Sequence, residues 1–307
     1  MNRVLVTGAS GFIGHGTLAP LLACGAEVHA VSSRQSRSAS PPGVHWQRAD
    51  LLSESATEEL LQRVAPTHLL HLAWYAEPGT FWHSTENLRW VEASLRLLRA
   101  FTAHGGHRAV LAGSCAEYAW EEKTYCVEGQ TPLRPTTLYG TSKHALHMIA
   151  ECYAEQVDLS LAWARVFFVF GPREDPRRLA GSVARAFVLG EPAACSHGEQ
   201  LRDFLYCEDL AEAFVALLGS AVQGSVNLAS GTPVRIRELV EALAAAADRP
   251  DLVRLGVRPT VPGEPAEVLA DVARLRDEVG WTPPATLEQR AADTIAWWRA
   301  ASRSIHA

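Results

Sequence analysis

Long apolar runs are missing from this 307-residue chain. No stretch approaches the roughly 18 apolar residues that a membrane-crossing helix needs, so no membrane partner is expected. The start, Met1 to Thr7, lacks the basic segment, long apolar stretch and cleavage site of an export signal. Cysteine is sparse: six residues, at 24, 115, 126, 152, 195 and 207, with no C-x-x-C pair. That spacing excludes a disulfide framework and a cysteine metal site, and points to free thiols in a reducing cytoplasm. His83, His104 and His107 also lack metal-ligand spacing, so no metal is expected. Basic charge is in short supply, 28 Lys and Arg against 34 Asp and Glu, for a formal charge of -6. Such a chain has no general pull toward nucleic acid or anionic membrane, and an anionic ligand must be held by local groups.

What is present is alternation. Short β-like runs at 4–7, 27–32, 44–47, 68–73, 108–113 and 159–168 alternate with helical patterns at 12–24, 53–64, 84–104 and 137–156. Strands and helices in that order predict parallel βαβ crossovers and an α/β, doubly wound parallel sheet of the Rossmann type. After Gly171-Pro172 the pattern loosens. Helices are expected near 179–189, 210–218, 236–247 and 287–302, with a strand at 226–229. We read 1–170 as a dinucleotide-binding domain and 171–307 as mainly a smaller, mixed α/β substrate-binding domain, part of which returns to the sheet.

Gly8-Ala9-Ser10-Gly11-Phe12-Ile13-Gly14 follows the first strand and opens the first helix. This G-x-x-G-x-x-G spacing permits a tight turn, close backbone approach to a pyrophosphate, and close helix–strand packing. Gly8, Ser10, Gly11, Phe12, Ile13 and Gly14 are therefore candidate cofactor contacts. An NAD site usually has an acid at the end of the second strand; here the segment reads Ser32-Ser33-Arg34, with Arg37 close by. Ser33, Arg34 and Arg37 suit a 2′-phosphate, which favours NADP, with NAD as the alternative. Asp50 and Leu51 are placed to reach the adenine edge, although Asp50 could equally cap the next helix.

Tyr139-Gly-Thr-Ser-Lys143 puts a phenol and an ammonium at i and i+4 on one helix face. A lysine beside a phenol is expected to lower its pKa, so that Tyr139 moves a proton at a carbinol or carbonyl oxygen near neutral pH. Ser114, at a strand end where ligands lie in such sheets, could hold the same oxygen.

With these residues on the page the chain resembles the extended short-chain dehydrogenase/reductase family. His71-Leu72-Ala73, Asn87, Arg165 through Gly171-Pro172, Arg202-Asp203-Phe204 with Glu208-Asp209-Leu210, and Gly280-Trp281 extend the likeness over nearly the whole length. The resemblance implies Ser114, Tyr139 and Lys143 as the catalytic group. It implies a nucleotide-diphosphate sugar as substrate and a homodimer built on the helices near 84–104 and 137–156, where Ala145, Leu146, Ile149 and Ala150 form an apolar stripe. Leu72, Ala73 and Trp74 fall against the cofactor, with Lys143 on its ribose. Trp74 and Tyr75, where small residues are commoner, offer an apolar wall to a 6-methyl sugar. Arg202 matches a diphosphate contact, and Arg173, Arg177 and Arg178 could contribute. Phe168 stands where many relatives carry asparagine.

The departures narrow the activity. A related 4,6-dehydratase would carry an Asp-Glu pair just after the catalytic hydroxyl residue; here Cys115 and Ala116 stand there, with Glu117 one place further on. Cys115, Glu117 and Phe168 are candidate substrate contacts, but dehydration is disfavoured unless Glu117 turns inward to the substrate. The expectation is NADPH-dependent reduction of the C4 ketone of a nucleotide-linked 4-keto-6-deoxyhexose. An NAD-dependent nucleotide-sugar epimerase is the alternative. A non-catalytic NADP-sensing protein fits less well, because Ser114, Tyr139 and Lys143 are all present.

Overall fold

The computed structural model describes residues 2–33, 40–121, 123–260 and 263–305. The first half runs β1 (Arg3–Thr7), α1 (Gly14–Ala23), β2 (Glu27–Ser32), β3 (Val44–Arg48), α2 (Glu54–Val64), β4 (His68–His71), α3 (Glu86–Ala103), β5 (Arg108–Ser114), β6 (Lys123–Cys126), α4 (Leu138–Gln156) and β7 (Ser160–Val166). Then come β8 (Phe168–Phe170), α5 (Leu179–Leu189), β9 (Ala193–Ala194), β10 (Leu201–Tyr206), α6 (Cys207–Gly219) and β11 (Gly224–Leu228). The chain finishes with β12 (Pro233–Arg235), α7 (Ile236–Ala247), β13 (Val253–Arg254), β14 (Glu267–Ala270) and α8 (Leu287–Ile305).

Seven strands form one parallel sheet in the order β11-β7-β5-β4-β1-β2-β3. The order reverses between β1 and β4, and the crevice outside the carboxyl ends of those two strands is where such sheets take ligands. Apolar side chains cover both faces, as a buried parallel sheet requires. Leu18, Leu21, Leu210 and Phe214 pack α1 and α6 on one face. Leu60, Leu61, Leu97, Phe101 and Leu146 pack α2, α3 and α4 on the other. Phe187, Leu239, Leu243 and Ile295 build a third core between α5, α7 and α8.

A second sheet, β12-β10-β14-β6 with β8 paired to β10, lies at the carboxyl edge of the first. The single strand expected at 159–168 therefore divides. β7 stays in the large sheet to Val166, Phe167 turns its ring into a small core with Cys115, Tyr118 and Val268, and β8 joins β10. The first helix begins at Gly14 instead of residue 12, because Gly11 closes a turn onto the Gly8 carbonyl at 2.9 Å. Ser53 caps α2 through Ala56 N–H, and α7 has the bounds expected for its amphipathic pattern. Residue 224, two places before the expected start, opens β11, which lies beside β7. Among the described residues no helix is long and apolar enough to cross a membrane.

Candidate active site

The glycine loop forms a cradle at the switch between β1 and β4. Gly8 has φ +68°, and a Cβ there would lie 2.8 Å from the backbone of Leu72 and Ala73. A Cβ on Gly14 would lie 2.2 Å from the Gly8 carbonyl oxygen. Only hydrogen fits at either place, so the loop lies flat over the strand ends. Ser10 and Gly11 are exposed, Phe12 and Ile13 partly so, and Ile13 gives no side-chain cap to the first amides of α1. Amides presented in this way suit a pyrophosphate. Thr7 holds the other lip: its hydroxyl accepts from Leu72 and Ala73 N–H and pairs with His71 Nδ1 at 2.7 Å. Ser94 donates to the Trp90 carbonyl, so His71 Nε2–H donates to Ser94 and Nδ1 accepts from Thr7. Burial holds His71 neutral, its pKa pushed down to about 3. These residues fit a dinucleotide.

At the adenosine end, Ser10 meets Ser32 and Ser33 is exposed. The expected 2′-phosphate ligands Arg34 and Arg37 lie outside the described residues. Asp50 accepts from Leu52 N–H in the turn before α2, while Ser53 is the cap, and Leu51 is buried beside it.

Ser114, Tyr139 and Lys143 meet at the carboxyl edge of β5. Ser114 ends that strand, its side chain accepting from Ala116 N–H at 3.2 Å, and its hydroxyl lies close enough to Tyr139 to pull the phenol's pKa down. Thr137 caps α4 through Gly140 N–H, which sets Tyr139 and Lys143 in the first two turns. Lys143 is almost wholly buried and donates to the Ala112 carbonyl at 2.8 Å. Burial pushes its pKa down to about 7, with Glu117 acting the other way. One expectation is corrected here. Tyr139 is not lowered by Lys143; burial raises it to about 12, against the pull of the nearby Ser114 hydroxyl. The tyrosine is thus a neutral phenol at pH 7, set up to hold a proton on a ligand oxygen.

Glu117 and Cys115 were expected at the substrate, and the structure places them elsewhere. Cys115 packs into the core with Tyr118 and Phe167. Glu117 is 0 % exposed and accepts from Ser114 N–H at 2.7 Å, from Trp163 Nε1 at 2.9 Å and from Arg165 Nε at 3.1 Å. It turns into the protein behind Ser114, fixes the backbone there, and leaves no acid facing a ligand. His144 and His147 bring ring nitrogens near the same carboxylate, a cluster that a metal could use. The Arg165 guanidinium already stands among them, 3.3 Å from His147 Nδ1. Burial, then Arg165, pushes His147 down to about 3.

Over Ser114, Tyr139 and Lys143 lies the segment after β4. Trp74 sets its indole on Lys143, with Nζ 3.7 Å from the ring centroid, and donates to Asn87 at 2.9 Å. Tyr75 pairs with Thr80. Phe81 and Trp82 contact the Tyr139 ring edge-on at 4.9 and 5.6 Å, and the Trp82 carbonyl accepts from Tyr139 N–H. Trp120 and Phe168 continue this aromatic wall. Phe81, Trp82 and Trp120 had no role in the site on the sequence alone. The signal was the density of aromatics from Trp74 to Trp82.

The arginines divide. Arg202, expected on a diphosphate, is buried and bonded to Glu264 at 2.8 Å and to the carbonyls of Leu201 and Pro265, its face against Phe168. A diphosphate would have to compete with that carboxylate. Arg173 is exposed. Arg177 bridges Asp175 and Glu77, joining the two loops at the mouth. Arg178 lies over Phe81 and close enough to Tyr139 to lower its pKa.

Comparisons with known proteins agree with this geometry. The chain is 27% identical to a UDP-glucose 4-epimerase of Corynebacterium glutamicum, over 92% of each chain. The structure is similar to that of the Thermus thermophilus UDP-glucose 4-epimerase in complex with NAD, with a TM-score of 0.84, 28% identity, and 97% and 99% of the two chains covered. The fold is also that of the Thermotoga maritima UDP-glucose 4-epimerase with UDP-glucose, at a TM-score of 0.88 and 21% identity over 98% and 99%. The profile of the NAD dependent epimerase/dehydratase family matches residues 4–229, which include the cradle, Ser114, Tyr139 and Lys143, and the chain belongs to that family.

Proposed function

We propose that this protein is a nucleotide-sugar 4-epimerase that works with a nicotinamide dinucleotide held across Gly8–Gly14 and Leu72–Trp74. One observation carries the choice of chemistry: the Ser114 and Tyr139 side chains converge at the carboxyl edge of β5, while Cys115, Ala116 and Glu117 are buried and offer no acid to a ligand. A single oxygen can exchange its proton there, whereas elimination of water needs further acid–base groups. When bound, the dinucleotide supplies the acceptor, and then the donor, of the hydrogen at the sugar carbon. Tyr139 holds and moves the proton on the C4 oxygen. Ser114 orients that oxygen, and Glu117 fixes Ser114 from behind. Lys143 brings a cation within the same buried site.

The expectation of a 4-ketoreductase rested on Arg34 and on the missing acid pair. The missing pair is equally compatible with epimerisation, and the curated relatives that cover nearly the whole chain include several UDP-sugar 4-epimerases. That supports the epimerase, with NAD as its dinucleotide, over the NADPH-dependent reductase. The test is to incubate the protein with UDP-glucose, UDP-galactose and UDP-glucuronate, and in parallel with dTDP-, CDP- and GDP-4-keto-6-deoxyhexoses plus NADPH. A C4 epimer formed without net consumption of dinucleotide is the expected result. Stoichiometric loss of NADPH with a new C4 alcohol would overturn it in favour of the reductase.

A further inference from the structure

We propose that Trp74 is a positioning residue for Lys143, a lid whose indole face keeps water from the ammonium and ties it to the loop that grips Tyr139. The inference rests on the reading of Tyr139 and Lys143 as one catalytic pair.

The contacts form a continuous path. Lys143 Nζ lies 3.7 Å from the centroid of the Trp74 ring. A lysine ammonium over an indole face is attracted by the ring quadrupole. The indole is held from behind, because Nε1 donates to Asn87 Oδ1 at 2.9 Å. Asn87 is itself fully buried and donates through Nδ2 to the carbonyls of Phe81 at 2.7 Å and Ser84 at 2.8 Å. The next carbonyl along, that of Trp82, accepts from Tyr139 N–H at 3.0 Å, and the Phe81 and Trp82 rings stand edge-on to the phenol. Lys143 and Tyr139 are thus joined twice, along α4 and through this loop. A small residue at position 74 would break the second connection.

The lid matters because little else tempers the charge. From β5, the Ala112 carbonyl accepts from Nζ, and from the turn after it Glu117 favours the ammonium. From β4, His71 is neutral and adds no charge. Burial outweighs these groups, and the Trp74 indole is the aromatic face that lies on Nζ.

The experiment measures Lys143 directly, with no sugar substrate. The full-length protein is pulse-labelled with acetic anhydride from pH 5.5 to 10, and modification of Lys143 is read by mass spectrometry. In the wild type the labelling midpoint is expected near pH 7, the value burial gives this lysine. Trp74→Ala should raise it by about one pH unit or more, as water reaches the ammonium. Trp74→Phe, which keeps an aromatic face, should stay within about 0.3 of the wild type. Should the alanine variant fail to fold, Trp74→Leu covers the site without a ring face, and its midpoint should fall by about half a pH unit. A Trp74→Ala midpoint at or below the wild-type value, in a folded protein, overturns the proposal, as does an unchanged Trp74→Leu midpoint. A failure of the epimerase assay leaves these outcomes readable, so the two ideas fall separately.

Discussion

At the scale of single residues, the proposed chemistry turns on Tyr139. It is the phenol that meets Ser114, and Phe81 and Trp82 fix its ring. Tyr139→Phe removes the group that moves the proton while keeping the packing, so turnover should fall by about 10²- to 10⁴-fold. Dinucleotide binding and circular dichroism should be unchanged. Near-normal turnover would remove Tyr139 from the mechanism. Glu117 carries a different load. It is wholly buried against Arg165, and Glu117→Gln leaves that guanidinium without its counter-charge, which should cost about 3 kcal/mol of stability in urea unfolding. Tyr139, Lys143 and Ser114 were legible in the sequence because a helix repeat or a strand end fixes where each one points. Glu117 was not, because its partners Trp163 and Arg165 are 46 and 48 residues away and nothing local announces them. The pairing of Arg202 was hidden for the same reason: its anionic partner Glu264 lies 62 residues further on.

At the scale of elements, the segment from Gly8 to Gly14 works by closeness. Gly8→Ala combines a left-handed backbone with a 2.8 Å approach to Leu72 and Ala73, so the loop must lift from the strand ends. Affinity for NAD, read by titration calorimetry, should drop at least about tenfold on the scale of a residue forced off its geometry. A tight complex in the alanine variant would show that the cradle does not set the fit. The long helices were legible because each has many residues over which a period can repeat, and the large sheet because most of its strands alternate with those helices; α7 was bounded correctly at both ends. The second sheet was not. Its strands span three to six residues, too few for an alternation to stand out, and β8 was hidden inside a longer apolar run.

At the scale of the whole molecule, the apolar stripe expected on α4 is split. Leu146 and Ala150 pack inward against the large sheet, while Met148 and Ile149 stand exposed, as does Leu88 on α3. We propose that a second copy covers these side chains. Sedimentation equilibrium should then give twice the 33.4 kDa chain mass, and Ile149→Glu should shift it toward one chain. A wild type of single-chain mass at micromolar concentration would reject the dimer.

The backbone passes back and forth between the two sheets five times: from β5 to β6, from β6 to α4, from β7 to β8, from β10 to α6, and from β11 to β12. A chain ending at residue 170 would lack β11 beside β7 and β14 beside β6. With β8 also losing β10, it would leave three strand edges bare and should be recovered as aggregate. The full chain, by contrast, should melt in a single calorimetric transition. The interleaving also bears on how new sugar specificities can be acquired. If 171–307 is the substrate-binding half we propose, it cannot be exchanged as a cassette, since a graft would have to splice five joints at once. Substitutions inside loops, such as the one from Trp74 to Trp82, are the open route.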